Sequence, residues 1–403
     1  MFSIAPFLID IFTILKKYHF EGYLVGGCVR DMLLGVPPKD YDITTNATPT
    51  QMKEIFSPHF YVIESGIAHG TLSLFRKDFG RVEITTYRSD GEYINHRHPR
   101  CVKLETSLKQ DLARRDFTIN ALAYDPFDNT TIIDLYGGQD DLQHKIIRAI
   151  GSPHARFSED ALRILRALRF ASEKNFIIET SCAEALYQQH TLLQHISVER
   201  IREEWNRILL GESAFKVINH FFSLFQNIFP YLKTQKQESL ESLQYAPYDL
   251  IVRLCLTFQQ VPMQDIQSFL NTFKYDNHTK KIIYKLLNAK PIQSSKISLK
   301  HLAHELSISI LDQLIAIQEA QFFHKQQYKQ ELQHTRILLA EIQKECYTYQ
   351  QLQINGKDLL MLGFPASSII AKTLQEILFA VIEEKIPNER THLIEFAKQF
   401  LKN

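Results

Sequence analysis

"YLVGGCVRDMLLGVPPKDYDITTNATP", residues 23–49, holds an apolar run, a glycine pair, an arginine and an Asp-x-Asp triplet in one short span. Residues 23–25 have the pattern of a strand, Gly26-Gly27 of a tight turn, and "CVRDMLLG" of a helix beginning beside Arg30. Glycines let backbone N–H groups come close to a phosphate, and a helix start adds partial positive charge. A triphosphate suits that corner, although many strand-Gly-Gly-helix junctions serve steric ends alone. Further along, residues i and i+2 of a strand share a face, so "DYDIT" places the carboxylates of Asp40 and Asp42 side by side. Such a pair calls for a cation unless it lies solvated on an edge strand, and magnesium takes one or two carboxylates together with substrate phosphates. A third carboxylate strengthens the metal reading. In "RVEITTYR" the alternation sends Val82 and Ile84 to one side and Glu83 to the other, so three carboxylates on adjacent strands suit metal-assisted phosphoryl transfer.

Working outward, the chain has 403 residues, 45% of them apolar, enough for about two to three domains. Its 46 basic and 45 acidic residues nearly cancel, so a polyanionic partner must be met by local basic patches. Five cysteines lie far apart without a C-x-x-C, which argues against a zinc site or a disulfide framework and for a reducing cytoplasm. The opening "MFSIAPFLIDIFTILKKYHF" is interrupted by Asp10 and carries its lysines at the end, as expected of an amphipathic core helix and not of a secretory leader. No run reaches the ~18 apolar residues a membrane span needs, so no membrane partner is expected. No feature bears on oligomeric state.

Strand patterns such as "TLSLF", "RVEITTY" and "TTIIDLYG" are confined to roughly the first third of the chain. After Gly151 only helical stretches are expected, among them "EDALRILRALRFASE", "SVERIREEWNRILL" and a long one from Leu311 to Ile342, with "NAKPIQSSK" as a linker. The predicted class is α+β, a mixed head followed by an extended helical body.

"GGCVRD…KDYDITTNATP", "RRDFTINALAYDP" and "SEDALRILRALRF" occur in an order that resembles the class II tRNA nucleotidyltransferase and poly(A) polymerase family, within the polymerase-β-like superfamily. The resemblance implies a catalytic head over residues 1–150, a neck for base recognition over 151–212, a body over 213–290 and a tRNA-binding tail over 291–403. It also implies template-free addition of nucleotides to an RNA 3′ end, with Asp40 and Asp42 carrying Mg2+ and Glu83 supporting them. Gly26, Gly27 and Arg30 then belong to the nucleotide site. In "LARRDFTINALAY", Arg115 can fork onto a phosphate while Asp116 and Asn120 meet ribose hydroxyls, or the same residues can form a structural Arg-Asp pair, with Arg114 a structural partner. Asp160 and Arg163, at i and i+3 of an expected neck helix, can respectively accept from the exocyclic amine and donate to the ring nitrogen of cytosine or adenine. Uracil and guanine present the opposite pattern. Glu159 completes the family's E-D-x-x-R pattern, and Arg166 and Arg169 continue the row toward a triphosphate or RNA end. Leu162, Leu165 and Leu168 equally define an amphipathic core helix.

"GIAHGT", residues 66–71, and the C-terminal "LQINGKDLLMLGFP" with "IPNERTHLIEFAKQFL" resemble the CCA-adding subgroup, whose members use CTP and ATP on tRNA and release pyrophosphate. "FPASSIIAKTL" departs from that subgroup's usual Pro-Gly-Pro. The segment 88–100 resembles the subgroup's flexible loop, assigned a part in switching from C to A addition. An A-adding tRNA nucleotidyltransferase and a poly(A) polymerase remain the alternatives.

Overall fold

The structure is a computed structural model that describes residues 2, 4–78, 80–90, 93–94, 98–99, 102–104, 107–128 and 131–401. Its residues group into two compact units, Met1–Pro230 and Tyr231–Asn403.

The first unit is built on a seven-stranded mixed sheet. Its strands are β1 (Gly22–Val25), β2 (Asp42–Thr45), β3 (Tyr61–Ile63), β4 (Thr71–Arg76), β5 (Gly80–Thr86), β6 (Leu122–Tyr124) and β7 (Ile132–Asp134), in the order β7-β6-β1-β2-β5-β4-β3. Only β2 and β5 run parallel within it; the other neighbours are antiparallel. Alternation divides the two faces as expected. Ile43 and Ile84, paired in register, are buried in the core, while Asp42 and Glu83, also paired, point the other way.

One face of the sheet is covered by helix α1 (Pro6–Lys17), the amphipathic opening segment, which buries Leu8, Ile11, Phe12 and Leu15. Helix α3 (Pro49–Phe56) adds Met52, Ile55 and Phe56 to the same core. Each of these side chains contributes about 1.5–3 kcal/mol by leaving water. Thr48 starts α3 with a capping box to Gln51 and a proline at the first position, so the chain leaving β2 turns immediately into a helix. Helix α2 (Gly27–Leu33) follows β1 directly, and α4 (Leu108–Ala113) precedes the β6 segment.

Four expectations need correction. Asp40 is not on β2, which begins at Asp42; it sits in the bend just before, because the Pro37-Pro38 pair delays the start of the strand. The neck helix expected from Glu159 onward begins only at Leu162: α5 (Pro153–Glu159) ends at Glu159, and α6 (Leu162–Lys174) follows a break at Asp160, whose backbone is extended at φ −129° and ψ 103°. Asp160 Oδ1 accepts from the N–H of Leu162 at 3.1 Å, so the aspartate acts as a helix start and not as a helix interior. Strands do not stop at Gly151, since Ile177–Ile178 pairs in parallel with Ile146–Ile147, a run too short to show periodicity. The long helix expected across Leu311–Ile342 divides into Ile308–Gln321 and Gln326–Ile342.

Helix α6 packs against α7 (Val198–Leu209), where Trp205 is fully buried against Phe225 and Phe229. The second unit is helical throughout its regular structure, from Leu250–Thr257 to Arg390–Lys398. Residues 288–295 form an irregular connection inside this unit. Near the C-terminus Leu359, Ile377, Leu378, Ile382, Leu393 and Ala397 close a core of their own, and Ser367 within "FPASSII" caps the helix Ser368–Ile382. The described cysteines are buried free thiols. Among the described residues no helix is long and apolar enough to cross a membrane.

Candidate active site

Beside the glycine turn and α6, a cleft of about 480 Å³ opens. Gly26, Gly27, Arg30, Arg115, Asp116, Asn120, Asp160, Arg163, Arg166 and Arg169 all line it, together with Asp42. Residues distant in sequence therefore converge, although a 90-residue separation divides Arg30 from Asn120, which it meets at 2.7 Å.

The cleft starts at the glycine turn. Gly26 has φ +75° and ψ −131°, and a Cβ there would lie 2.8 Å from Arg115 Nη1. Both the backbone conformation and the close approach of a guanidinium require glycine. Gly26→Ala is expected to displace Arg115, weaken nucleotide binding about tenfold and lower stability by about 1–2 kcal/mol. A CTP titration and a thermal melt check both; unchanged affinity would remove the turn from the site.

Arg30 is buried on α2. It donates Nη1 to Asn120 Oδ1, and Nε and Nη2 to Asp31 Oδ1 at 3.0 and 2.9 Å. Asn120 Nδ2 in turn donates to Asp116 Oδ1 at 3.0 Å. The other Asp116 oxygen receives Arg166 through Nε at 2.8 Å and Nη2 at 2.6 Å. With the N–H of Phe117 also bonded, the acceptor positions of Asp116 are filled by protein donors, so this carboxylate holds its neighbours and has little left for a ribose hydroxyl. Burial alone would raise its pKa; Arg166, the Asn120 bond and Arg163 overcome that and hold it far below the usual carboxylate range.

Three guanidiniums gather round one ring. Arg30, Arg166 and Arg169 lie 5.2, 5.3 and 4.1 Å from the centroid of Phe170. Arg169 itself is nearly buried and committed, with Nε 2.6 Å from Glu204 and Nη1 3.0 Å from Glu173. The Glu204 pair ties α6 to α7, so the row of arginines expected on one face contains one that is structural.

Arg163 is held by Glu159 at 2.7 Å, by the Arg156 carbonyl at 3.2 Å and by the Arg114 carbonyl at 2.9 Å. Asp160 reaches the same cleft from the helix break, with Oδ2 3.5 Å from Arg200. The pair thus shares a cleft wall without sharing a helix.

At the cleft floor the residue Asp42 stays open to solvent. Its pKa is nevertheless raised by the protein crowding its carboxyl; Arg115 opposes the rise, and Glu83 and Asp40 add to it. Glu83 accepts from Arg81 at 2.7 Å. Among the described residues no three His, Cys, Asp or Glu side chains converge tightly enough to hold a metal by themselves. The donors are oxygens alone and carry uncompensated like charge, which fits a hard divalent cation completed by substrate oxygens.

Sequence reasoning passed over Asp111, Arg207 and Phe170. Asp111 is fully buried on α4: Oδ1 takes Arg114 through Nε at 3.0 Å and Nη2 at 2.8 Å, and Oδ2 takes Arg115 at 3.2 Å and Thr44 Oγ1 at 3.3 Å. Its spacing to Arg114 and Arg115, i+3 and i+4, was a usable signal. Arg115 keeps a buried Nε without a hydrogen-bond partner among the described residues. In "GIAHGT", Gly70 takes φ +77°, Thr71 Oγ1 bonds Thr85 Oγ1 at 2.9 Å, and the His69 carbonyl accepts from Arg88. Of segment 88–100, residues 91–92, 95–97 and 100 lie outside the described residues, and so does the expectation placed on that loop.

A larger groove, about 1010 Å³, lies in the second unit between the helices Asn277–Leu287 and Lys296–Leu306, lined by Lys280, Lys281, Tyr284, Lys285 and Lys290. It is basic but lacks convergent carboxylates, so size does not make it the reacting site.

The head with this cleft is that of a nucleotidyltransferase: residues 22–148 match the poly A polymerase head domain, and 248–397 match tRNA nucleotidyltransferase domain 2. A model of the RNA- and SrmB-binding site of polymerase A matches residues 175–236. The CCA-adding enzyme of Oceanobacillus iheyensis is 35% identical over 96% of this chain and 95% of its own, and that of Staphylococcus epidermidis 35% identical over 96% and 97%. The crystal structure of the Bacillus stearothermophilus CCA-adding enzyme in complex with CTP superposes with a TM-score of 0.82 at 30% identity, covering 99% of this chain and 98% of that one. The chain belongs to the family of CCA-adding enzymes.

Proposed function

We propose that this protein adds the 3′-terminal C-C-A sequence to tRNA without a nucleic-acid template, consuming CTP and ATP and releasing pyrophosphate. The observation that carries this is the single cleft in which a glycine turn, seven arginines and the Asp160–Arg163 pair face Asp42. An arginine-rich cleft of that kind suits a triphosphate. The named relatives and the CTP complex of the Bacillus stearothermophilus enzyme support the same substrate class.

On this reading the head is 1–150, the neck 151–212, the body 213–290 and the tail 291–403. Arg30 and Arg115 receive the phosphates above Gly26-Gly27, Asn120 offers its remaining amide hydrogen to the ribose, and Asp116 keeps Asn120 and Arg166 in place. Arg166 supports the phosphate side, while Arg169 braces α6. Asp40 and Asp42 would hold Mg2+ with Glu83 beside them, and that ion supplies charge neutralisation at the transferring phosphate. The tRNA 3′-hydroxyl then attacks the α-phosphate in line and pyrophosphate leaves. The lysine groove of the second unit suits phosphates of the tRNA backbone. A bacterial-type tRNA-processing role of this kind belongs in the cytoplasm.

Base choice rests on Asp160 and Arg163. With three bonds orienting it, Arg163 presents a fixed donor to the ring nitrogen of C or A. Arg163→Ala is expected to shrink the preference for C and A over U and G by about 10- to 100-fold, matching the ~1–3 kcal/mol of a paired base contact. Competition between CTP and UTP on one tRNA measures it, and an unchanged ratio would refute the assignment.

The whole reading is tested by incubating purified protein and Mg2+ with tRNA ending before CCA, after C and after CC, one labelled nucleotide at a time. Two C residues, one A and a stop are expected. A alone on the CC-ended tRNA would make it an A-adding enzyme, and long A tails on any RNA a poly(A) polymerase.

A further inference from the structure

The nucleotide cleft is supported from behind by a charged pair that the chemistry above does not use. Asp31 follows Arg30 on α2, and neighbours in a helix normally point apart. Here the Arg30 guanidinium folds back, placing both Nε and Nη2 on Asp31 Oδ1 at 3.0 and 2.9 Å. The same oxygen accepts Lys174 Nζ, from the last turn of α6, at 2.8 Å. Arg30 Nη1 bonds Asn120 on the opposite side, and the ring of Phe170 lies 5.2 Å from the guanidinium carbon. Three of the five guanidinium donors are thereby used. The remaining two stay available in a group that is only 6% exposed overall and lines the cleft next to Gly27, whose Cβ position is 3.5 Å from Nη2.

We infer that Asp31, anchored by Lys174, is a positioning residue for the nucleoside triphosphate: it locks Arg30 so that the free guanidinium hydrogens face phosphate oxygens at the Gly26-Gly27 turn. The electrostatics require such a lock. Arg115 and Arg166 line the same cleft, and a long side chain free to rotate would swing from these like charges toward water. Held in place, the guanidinium meets the phosphates without an ordering cost at the moment of binding. Lys174 keeps Asp31 neutralised, so the carboxylate does not repel the polyphosphate it helps to bind. This inference rests on the cleft being the triphosphate site.

The test uses the full-length protein with Asp31→Asn, Lys174→Met and Arg30→Ala, singly and with Asp31→Asn in the Arg30→Ala background. Measured are CTP affinity by calorimetry, KM and kcat for CTP and ATP, inhibition by pyrophosphate, and the thermal midpoint. Asp31→Asn is expected to weaken CTP, ATP and pyrophosphate alike by about tenfold while kcat and the C/A preference change less than about twofold. Lys174→Met moves the same quantities in the same direction by less, and remains informative if Asp31→Asn folds poorly. In the Arg30→Ala background Asp31→Asn adds no further loss, because it acts through Arg30. Unchanged nucleotide affinity, a loss confined to kcat or to thermal stability, or additive losses in the double variant would overturn the inference. If wild-type protein bound no CTP at all, the site reading itself would fall, and this inference with it.

Discussion

Asp42→Ala lowers nucleotide incorporation at least about a thousandfold, equivalent to roughly 4 kcal/mol of transition-state stabilisation, and does not unfold the head. The reasoning starts from the strand. Asp42 opens β2 in register with Glu83 of β5, and Asp40 stands just before it, so three carboxylates approach while the Arg115 guanidinium opposes the rise in Asp42's pKa. An acid whose pKa is raised by its folded surroundings is less comfortable ionised there than in the unfolded chain. At neutral pH its removal therefore costs no folding stability and adds some. Loss of activity with an equal or slightly higher thermal midpoint is the expected combination. Asp40→Ala follows the same logic with a comparable loss of turnover. Full turnover by either variant in Mg2+ would show that these carboxylates do not serve the reaction.

Asp111→Ala is expected to destabilise the first unit by about 3 kcal/mol and to weaken triphosphate binding as well. This side chain is fully buried and accepts four hydrogen bonds from Arg114, Arg115 and Thr44. Truncation leaves two guanidiniums, each about one-sixth exposed, without their counter-charge, and frees Arg115 from its place beside Gly26. Burial pushes the Asp111 pKa up, but Arg115 and Arg114 outweigh burial and hold it below the ordinary value. For an acid with a depressed folded pKa the contribution is complete above the unfolded value, about 3.9, and is lost as pH falls below it. Wild-type protein should therefore lose more stability between about pH 4 and pH 2 than Asp111→Ala does. Parallel acid-unfolding curves for the two proteins would show the carboxylate to be without a stabilising role.

The division between local and tertiary information is visible residue by residue. β1, the glycine turn and α2 were legible because turn chemistry and an apolar run are local properties, and Val82, Glu83 and Ile84 were assigned their faces correctly because a strand has a period of two. Asp160 was misplaced because a side-chain bond to the Leu162 N–H competes with helix propagation, and helical periodicity in the flanking leucines hides that competition. Arg166 and Arg169 look alike in sequence, three residues apart on one helix. Only the approach of Glu204 from α7, 35 residues on, turns Arg169 into a brace while Arg166 turns to Asp116.

By itself the sequence determined the class of the head, the order of its motifs and ten nucleotide-site candidates that the fold brings into the cleft, but not Phe170 or Arg207, because motif reading depends on short-range patterning and on which functional groups the chain carries. Tertiary structure decided which of those groups are free. Asp116 has its acceptor positions filled, Arg163 has three donors used, and Asp111 and Asp31 hold the arginines that face the cleft. The physical reason is that each charged side chain has few hydrogen-bonding positions and is most strongly bound by whichever opposite charge folding brings within about 3 Å. That partner is set by packing between elements distant in the chain.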